Sequence, residues 1–496
     1  MEILSFVLYF IIVLGIGIYF FFKSKDNSEK DYFLGGRRMG PWVTAMSAQA
    51  SDMSAWLLMG LPGSILAFGL GQAWIGIGLA IGTALNWILV ARRLRCFSKA
   101  AGDSITLPQY LSGRFASKSK TLQVVSAVIF LVFFTVYVAS GFVAGTSVFT
   151  TLFPELAEGT AMLIFALIII CYTFLGGYKA VCWTDFFQGL LMLVALLAVP
   201  IAIVASGTLD TSLLAKEITS ADGTVYAFTG NPFKAPVTEI VSGLAWGLGY
   251  FGMPHILVRF MGIEKPSMVK KSASVAIVWV VISLGATVAL AYFGRMLPIG
   301  GELLAAGNQK LIFVELARRL FPAFIAGILL AAIIAASMST ADSQLLVASS
   351  SFTSDIYKPI FRKKASDKEI LWVGRVVVLI ISVIAYFIAS SNGKGAQAIM
   401  NMVENAWAGF GSSFGPVVIL SLFWKRFTYK GACAGVIVGA VVDVIWLIFF
   451  KSTGIYEIIP GFICGMLASV IVTLMDKAPS AEVTAIFDRA VSTDCD

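Results

Sequence analysis

The sequence predicts an all-α polytopic membrane bundle, and three observations predict it. Of its 496 residues, 58% are hydrophobic and 13% are charged, where soluble domains carry about 25% charged residues. Apolar runs of about 20 residues, the length that crosses a bilayer core at 1.5 Å per residue, recur from one end of the chain to the other. Lys and Arg concentrate in alternate loops, the bias that orients membrane helices. The net charge of +8 therefore reads as topology and not as a nucleic-acid surface. One histidine, His255, cannot build a His-based metal site or serve a membrane enzyme that needs a nucleophile–base set. Six scattered cysteines without a CxxC pair argue against a zinc site or a disulfide framework.

Thirteen candidate spans follow from the apolar runs, at 3–22, 42–70, 72–91, 122–152, 160–175, 187–206, 237–258, 272–294, 320–353, 371–391, 396–424, 431–450 and 456–475. No basic stretch precedes the first run and no small-residue cleavage pattern follows it, so it reads as a retained helix. With the N-terminus outside, the basic segments ARRLRCFSK, RFMGIEKPSMVKK, YKPIFRKKASDK and WKRFTYK all fall on the cytoplasmic side. Thirteen spans then place the C-terminus inside, in a cell membrane. The longest external loop runs from about Ser206 to Thr238, and the tail 476–496 is too short for a catalytic or signalling domain.

The second span carries the strongest functional signal. In SAQASDMSAWLLMGLPG, Ser47 to Gly63, Asp52 is a lone carboxylate among small residues. A charge at that depth costs at least about 2.5 kcal/mol unless it meets a partner, a cavity or an ion. Small neighbours, Pro62 and the flanking glycines favour a broken helix whose free carbonyls attract a cation. In the ninth span, Ala331 to Ser351, a carbonyl at Ala336 and hydroxyls at Ser339 and Thr340 share one helix face. Hard cations take oxygen ligands of this kind, although small residues also pack helices closely.

The seventh span, GLAWGLGYFGMPHILVRFMG, is interrupted by four glycines and Pro254. Trp246 and Tyr250 share a face there, either as core or as a cavity lining. Interrupted segments at matching places in two halves point to a binding site between them. In YTFLGGYKAVCWTDFFQ, Gly176 and Gly177 mark a turn, and Asp185 is either a helix cap or half-solvated, or else a second functional carboxylate, as a gate or alternative cation contact. Arg37 in DYFLGGRRMGPW reads first as a cytoplasmic anchor and second as a gate. Glu404, Asp443 and Asp342 rank lower.

Taken together, YFLGGRRMGPWVTAMSAQASDMSAWLLMGLPG, GGYKAVCWTD, WGLGYFGMPHILVRFM and MSTADSQLLVASS resemble the sodium:solute symporter family over almost the whole chain, and within it the branch that carries proline. The resemblance implies a leucine-transporter-like architecture of 13 helices. A five-plus-five inverted repeat, about 42–206 and 237–424, follows one extra helix at 3–22 and precedes two more at 431–475. It implies sodium-coupled uptake of L-proline, with Na+ as coupling ion, no cofactor and no obligate protein partner. By matching position, Na+ falls to the carbonyls of Ala50, Met53 and Ala336 and the hydroxyls of Ser339 and Thr340. Asp52 is the essential acidic position. Ser54, Tyr137, Trp246, Tyr250 and Pro254 fall beside the substrate. Related proline carriers commonly read SDMSGW where this chain has Ala55. Two alternatives stand beside this reading: a sodium-coupled symporter of another small organic solute, and a transporter-like membrane sensor.

Overall fold

Apolar runs form single helices, two of them around an internal proline (Pro200, Pro416): Glu2–Lys23, Thr121–Leu152, Tyr178–Ala205, Val269–Arg295, Asp367–Ser391, Ala396–Phe423, Tyr429–Phe449 and Ile458–Met475. The structure, a computed structural model, describes residues 1–23, 28–175, 177–391 and 396–492. Gly176, expected in a turn, and Lys394, expected in an external loop, lie outside them. Among the described residues, ten helices are long and apolar enough to cross a membrane. An eleventh results if Val237–Phe251 and Pro254–Gly262, bent by 43°, are one span. The expected spans 42–70 and 160–175 are met by shorter apolar helices, Ala55–Phe68 and Glu158–Phe174. Length and apolarity thus identify ten or eleven crossings where thirteen were expected.

Two boundaries moved for physical reasons. The third expected span continues as Leu70–Ala100, because its RRLRCFSKA end is amphipathic and buries Leu94 and Phe97. The sixth begins at Tyr178 and not near 187, because Asp185 is buried inside the helix.

Every residue from Leu329 to Ser351 of the helix Ala323–Ser351 is buried. A helix apolar or small all round belongs in a bundle centre. It packs against Thr121–Leu152, Tyr178–Ala205 and Pro41–Asp52. Pro41–Asp52 also packs on Val269–Arg295 and Pro254–Gly262. The two interrupted spans therefore meet beside this buried central helix. On one face of the bundle, the 206–236 loop carries a short antiparallel hairpin pairing Ile218 with Tyr226 and Thr219 with Val225.

Candidate functional site at two broken helices

The first break begins where the helix Pro41–Asp52 stops. Pro41 occupies its first turn, where its missing N–H costs nothing. At the other end Met53 leaves helical geometry (φ −83°, ψ 76°), its N–H donating back to the Gln49 carbonyl. Ser54 then accepts from the Trp56 N–H at 3.2 Å and starts a single 3₁₀ turn, Ala55–Leu57. Serine in this role supplies the acceptor that the exposed N–H groups of a new helix need. The chain resumes as Gly60–Phe68.

The second break is built differently. Val237–Ala245 tightens into a 3₁₀ segment, Trp246–Phe251, and Pro254 opens the next helix, Pro254–Gly262. Two of the glycines here serve close packing. A Cβ at Gly249 would lie 2.0 Å from Nε1 of Trp407, and one at Gly252 would lie 2.3 Å from the Phe410 carbonyl oxygen. They let Ala396–Phe423 press directly on the 3₁₀ backbone.

The two breaks are joined by one hydrogen bond. The Tyr250 hydroxyl donates to Oδ2 of Asp52 at 2.5 Å, with Asp52 5% exposed and Tyr250 1% exposed. Asn86 Nδ2 donates to the Tyr250 carbonyl at 3.0 Å. The Tyr137 hydroxyl faces Ser54 and Asp52. Pro254 is buried at the start of its helix. Of the expected substrate residues, Ser54, Tyr137 and Tyr250 gather around Asp52.

Trp246 takes a different position. Its ring stacks on Trp56 (5.6 Å between centroids, 26°) and lies 6.3 Å from Trp407 and 5.3 Å from Tyr456. It also forms part of the wall of a cavity of about 410 Å³ with Gln72, Glu239, Glu404 and Tyr456. The Trp56–Trp246 pair thus spans both breaks, with a vestibule on its 206–236 loop side.

The oxygen atoms expected to hold a cation partly converge. Ser339 Oγ donates to the Ala50 carbonyl at 2.8 Å and contacts the Ala336 carbonyl at 3.3 Å. Thr340 Oγ1 is buried with no hydrogen-bond partner among the described residues. Met53 is buried at the end of the same helix as Ala50. Three oxygens therefore already cluster, and a fourth, one residue along, lacks a partner.

On the other side of the breaks lies a network that the sequence reading had only half seen. Asp185 is fully buried and is not a cap: Arg259 Nη2 lies 3.1 Å from its Oδ2. Ser47 donates to the same oxygen at 2.7 Å. Arg259 also donates to Ser47 at 3.1 Å, to the His255 carbonyl at 2.9 Å, and to Ser343. The sequence placed Arg259 with the cytoplasmic loop, but it is 0% exposed. Its signal was a single Arg four residues after His255 in an otherwise apolar turn.

Arg37, first read as a surface anchor, is 6% exposed. It donates to Ser98 at 3.0 Å, the Met261 carbonyl at 2.5 Å and the Ser104 carbonyl at 2.8 Å, and pairs with Asp103 at 2.9 Å. Burial opposes the charged Asp103 carboxylate, but Lys30 and Arg37 outweigh it and hold its pKa below the ordinary carboxylate value. Glu404 lies at the vestibule, Asp443 accepts from Ser412 at 3.0 Å, and Asp342 is fully buried.

The chain is 43% identical to the sodium/proline symporter of Haemophilus influenzae, covering 99% of this chain and 97% of that one. It is 45% identical to the sodium/proline symporter of Escherichia coli, covering 94% and 92%. It is also 45% identical to the high-affinity proline transporter of Bacillus subtilis, covering 95% and 97%. Its fold matches a Na+-coupled sialic acid symporter solved in a substrate-bound outward-open state. That match has a TM-score of 0.75 at 20% identity and covers 97% of this chain and 98% of that one. It also matches a nucleobase-cation-symport-1 family transporter solved in a closed conformation, with a TM-score of 0.55 at 14% identity over 94% and 99%. The bundle is therefore a leucine-transporter-like fold and a multi-pass membrane protein. The sodium:solute symporter profile matches residues 32–439, and the chain belongs to that family of transporters.

Proposed function

We propose that this protein carries L-proline into the cell together with Na+, by alternating access across the cell membrane. The observation that carries the reading is the agreement of whole-length relatives named as sodium/proline symporters with a lone buried carboxylate at a helix break. Sodium is taken by the carbonyls of Ala50, Met53 and Ala336 and the hydroxyls of Ser339 and Thr340. The orphaned Thr340 oxygen and the short Ser339–Ala50 contact support that donor set. Sodium there ties the first break to the central helix and orders the Asp52 segment.

Proline then sits beside Ser54, Tyr137 and Tyr250, with Pro254 at the start of the adjoining helix. Its ammonium group is drawn to the Asp52 carboxylate and to the faces of the aromatic rings. Its carboxylate meets free N–H groups where a half-helix restarts. Trp246, stacked on Trp56, closes the site from the vestibule. Asp185, with Arg259, and Arg37 hold the opposite side shut.

In this reading 42–206 and 237–424 are the two inverted repeats, 3–22 precedes them, and 431–475 and the tail 476–496 follow. The N-terminus lies outside and the C-terminus lies in the cytoplasm, as the loop charges favour. The driving force suffices: one charge crossing about 100 mV supplies about 2.3 kcal/mol. A tenfold sodium gradient adds about 1.4 kcal/mol, so one-to-one coupling supports accumulation of a few hundredfold, on the order of 10².

The test is uptake of labelled proline into proteoliposomes with and without an inward sodium gradient. Gradient-dependent accumulation, competed by unlabelled proline and not by unrelated amino acids, is expected. Uptake indifferent to sodium, or sodium-driven uptake of another solute in preference, overturns the reading.

A further inference from the structure

Arg295 ends the helix Val269–Arg295 and is only 1% exposed. One of its nitrogens, Nη2, donates to the Lys216 carbonyl at 2.6 Å. Its Nε and Nη1 are buried with no hydrogen-bond partner, and it makes no ion pair among the described residues. Its charge otherwise meets the face of Phe228, 5.8 Å from the ring centroid. A buried guanidinium with unmatched N–H groups is costly, because each unsatisfied charged donor forfeits its hydration.

The same arginine lines a cavity of about 480 Å³ on the face that carries the 206–236 loop, with Lys216, Leu297, Pro298 and Gly301 around it. Two carboxylates also line it. Glu302 is engaged by Arg319 at 3.0 Å, and Glu217 is exposed. The eight-residue helix Pro298–Ala305 starts at the cavity, so its positive end adds to the field there.

We propose that this cavity is a binding site for a small monovalent anion, a halide or a carboxylate, received by Arg295 and assisted by Lys216. An anion supplies the acceptor that Nε and Nη1 lack and a counter-charge that the two lining carboxylates do not give Arg295, Glu302 being paired with Arg319 and Glu217 facing solvent. The site joins three parts of the outer loops. The Asp210 N–H donates to the Met296 carbonyl at 3.0 Å, and the Ala221 N–H donates to the Ala305 carbonyl at 3.0 Å. Farther along, the same loop holds the first broken span, the Leu70 N–H donating to the Thr229 carbonyl at 2.8 Å. Anion occupancy therefore pins the 206–236 loop, whose Pro236 end lines the vestibule. Its effect on transport rests on the sodium–proline reading; the binding itself does not.

The experiment compares thermal unfolding of the purified full chain at one sodium concentration with chloride, acetate or a bulky sulfonate buffer as the anion. An anion at ten times its Kd multiplies the folded-to-unfolded ratio about tenfold, so chloride or acetate raises Tm over the sulfonate. A rise with chloride alone marks a halide site, and a rise with acetate marks a carboxylate acceptor. Arg295→Gln abolishes the rise; should that variant not fold, Lys216→Gln weakens it in the same comparison. Equal Tm in all three salts, or an undiminished rise in these variants, overturns the proposal. Melting needs no transport, so absence of proline uptake in every salt strikes the transport reading and leaves this result standing.

Discussion

Replacing Tyr250 by phenylalanine removes one oxygen and leaves the ring that packs on Trp407. That oxygen donates to Asp52 at 2.5 Å, and almost no water reaches either group. A hydrogen bond to a charged partner is worth about 1.5–3 kcal/mol, or roughly ten- to a hundredfold in an equilibrium constant. Because Asp52 lies two residues from Ala50 and one from Met53, loosening its carboxylate loosens the loop expected to hold sodium. Tyr250→Phe is therefore expected to raise the sodium concentration for half-maximal proline uptake by roughly tenfold or more, with insertion in the membrane unchanged. The assay is the sodium-activation curve of labelled proline uptake in proteoliposomes. It is measured for Tyr250→Phe, Asp52→Asn and the double variant, since a cycle isolates the pair. Strong coupling between the two changes is expected. Additive effects, or a normal sodium curve in Tyr250→Phe, refute the argument that this bond organises the ion site.

Removing both hydroxyls with Ser339→Ala and Thr340→Ala is expected to raise the sodium requirement and spare proline affinity at saturating sodium, because two of the proposed oxygen ligands are lost; sodium titration of uptake checks this. A cysteine at position 246, in a chain stripped of its six native cysteines, reacts with a thiol reagent from the vestibule. Sodium with proline slows that reaction, as labelling rates report. Asp185→Asn leaves Arg259 buried without its counter-charge and destabilises the fold by about 3–5 kcal/mol. Joint replacement of Asp185 and Arg259 by neutral residues recovers part of that loss, which a comparison of unfolding midpoints reads.

Much of this was legible in the residues. Asp52, Ser339 and Thr340 stood out because polar groups are rare and expensive inside apolar spans, and the two breaks stood out because glycine, serine and proline gather there. Arg37 and Arg259 were misjudged for one reason: loop charge and buried charge look alike in a sequence. Only packing places Arg37 against the Met261 carbonyl and Arg259 against Asp185. The role of Trp246 was half legible. Helical spacing put it on one face with Tyr250, but the 3₁₀ geometry of Trp246–Phe251 turns it toward Trp56. The partner Trp56 carried no signal beyond being one aromatic among many. The glycines of the second break were correctly read as a departure from helix. Their purpose, close contact with Trp407 and Phe410, depends on a helix more than 140 residues away.

The two ends of the broken pair are fastened by different chemistry, and this sets the order of opening. At the Arg37 side, Arg37 and Arg95 donate to the carbonyls of Met261 and Ile263 at 2.5 and 2.7 Å. The Met39 and Glu264 N–H groups add backbone bonds between the same two segments at 3.3 and 3.0 Å. At the vestibule side the spans are held chiefly by the Trp56–Trp246 stack and by Gln72 donating to Glu239 at 2.6 Å, beside a cavity of about 410 Å³. Parting an aromatic pair next to a cavity exposes little that was dry, and such pairs contribute about 0.5–1.5 kcal/mol beyond burial. Parting buried guanidinium–carbonyl bonds leaves charged donors unmatched until water enters, at about 1–3 kcal/mol each or more. The vestibule side is thus the easier one to open in this state, and opening the other side requires a change at the site itself. Asp52 and the Ala50 carbonyl are where that change is expected to enter, because the proposed sodium and substrate contacts both fall where the helix Pro41–Asp52 ends and the backbone leaves helical geometry.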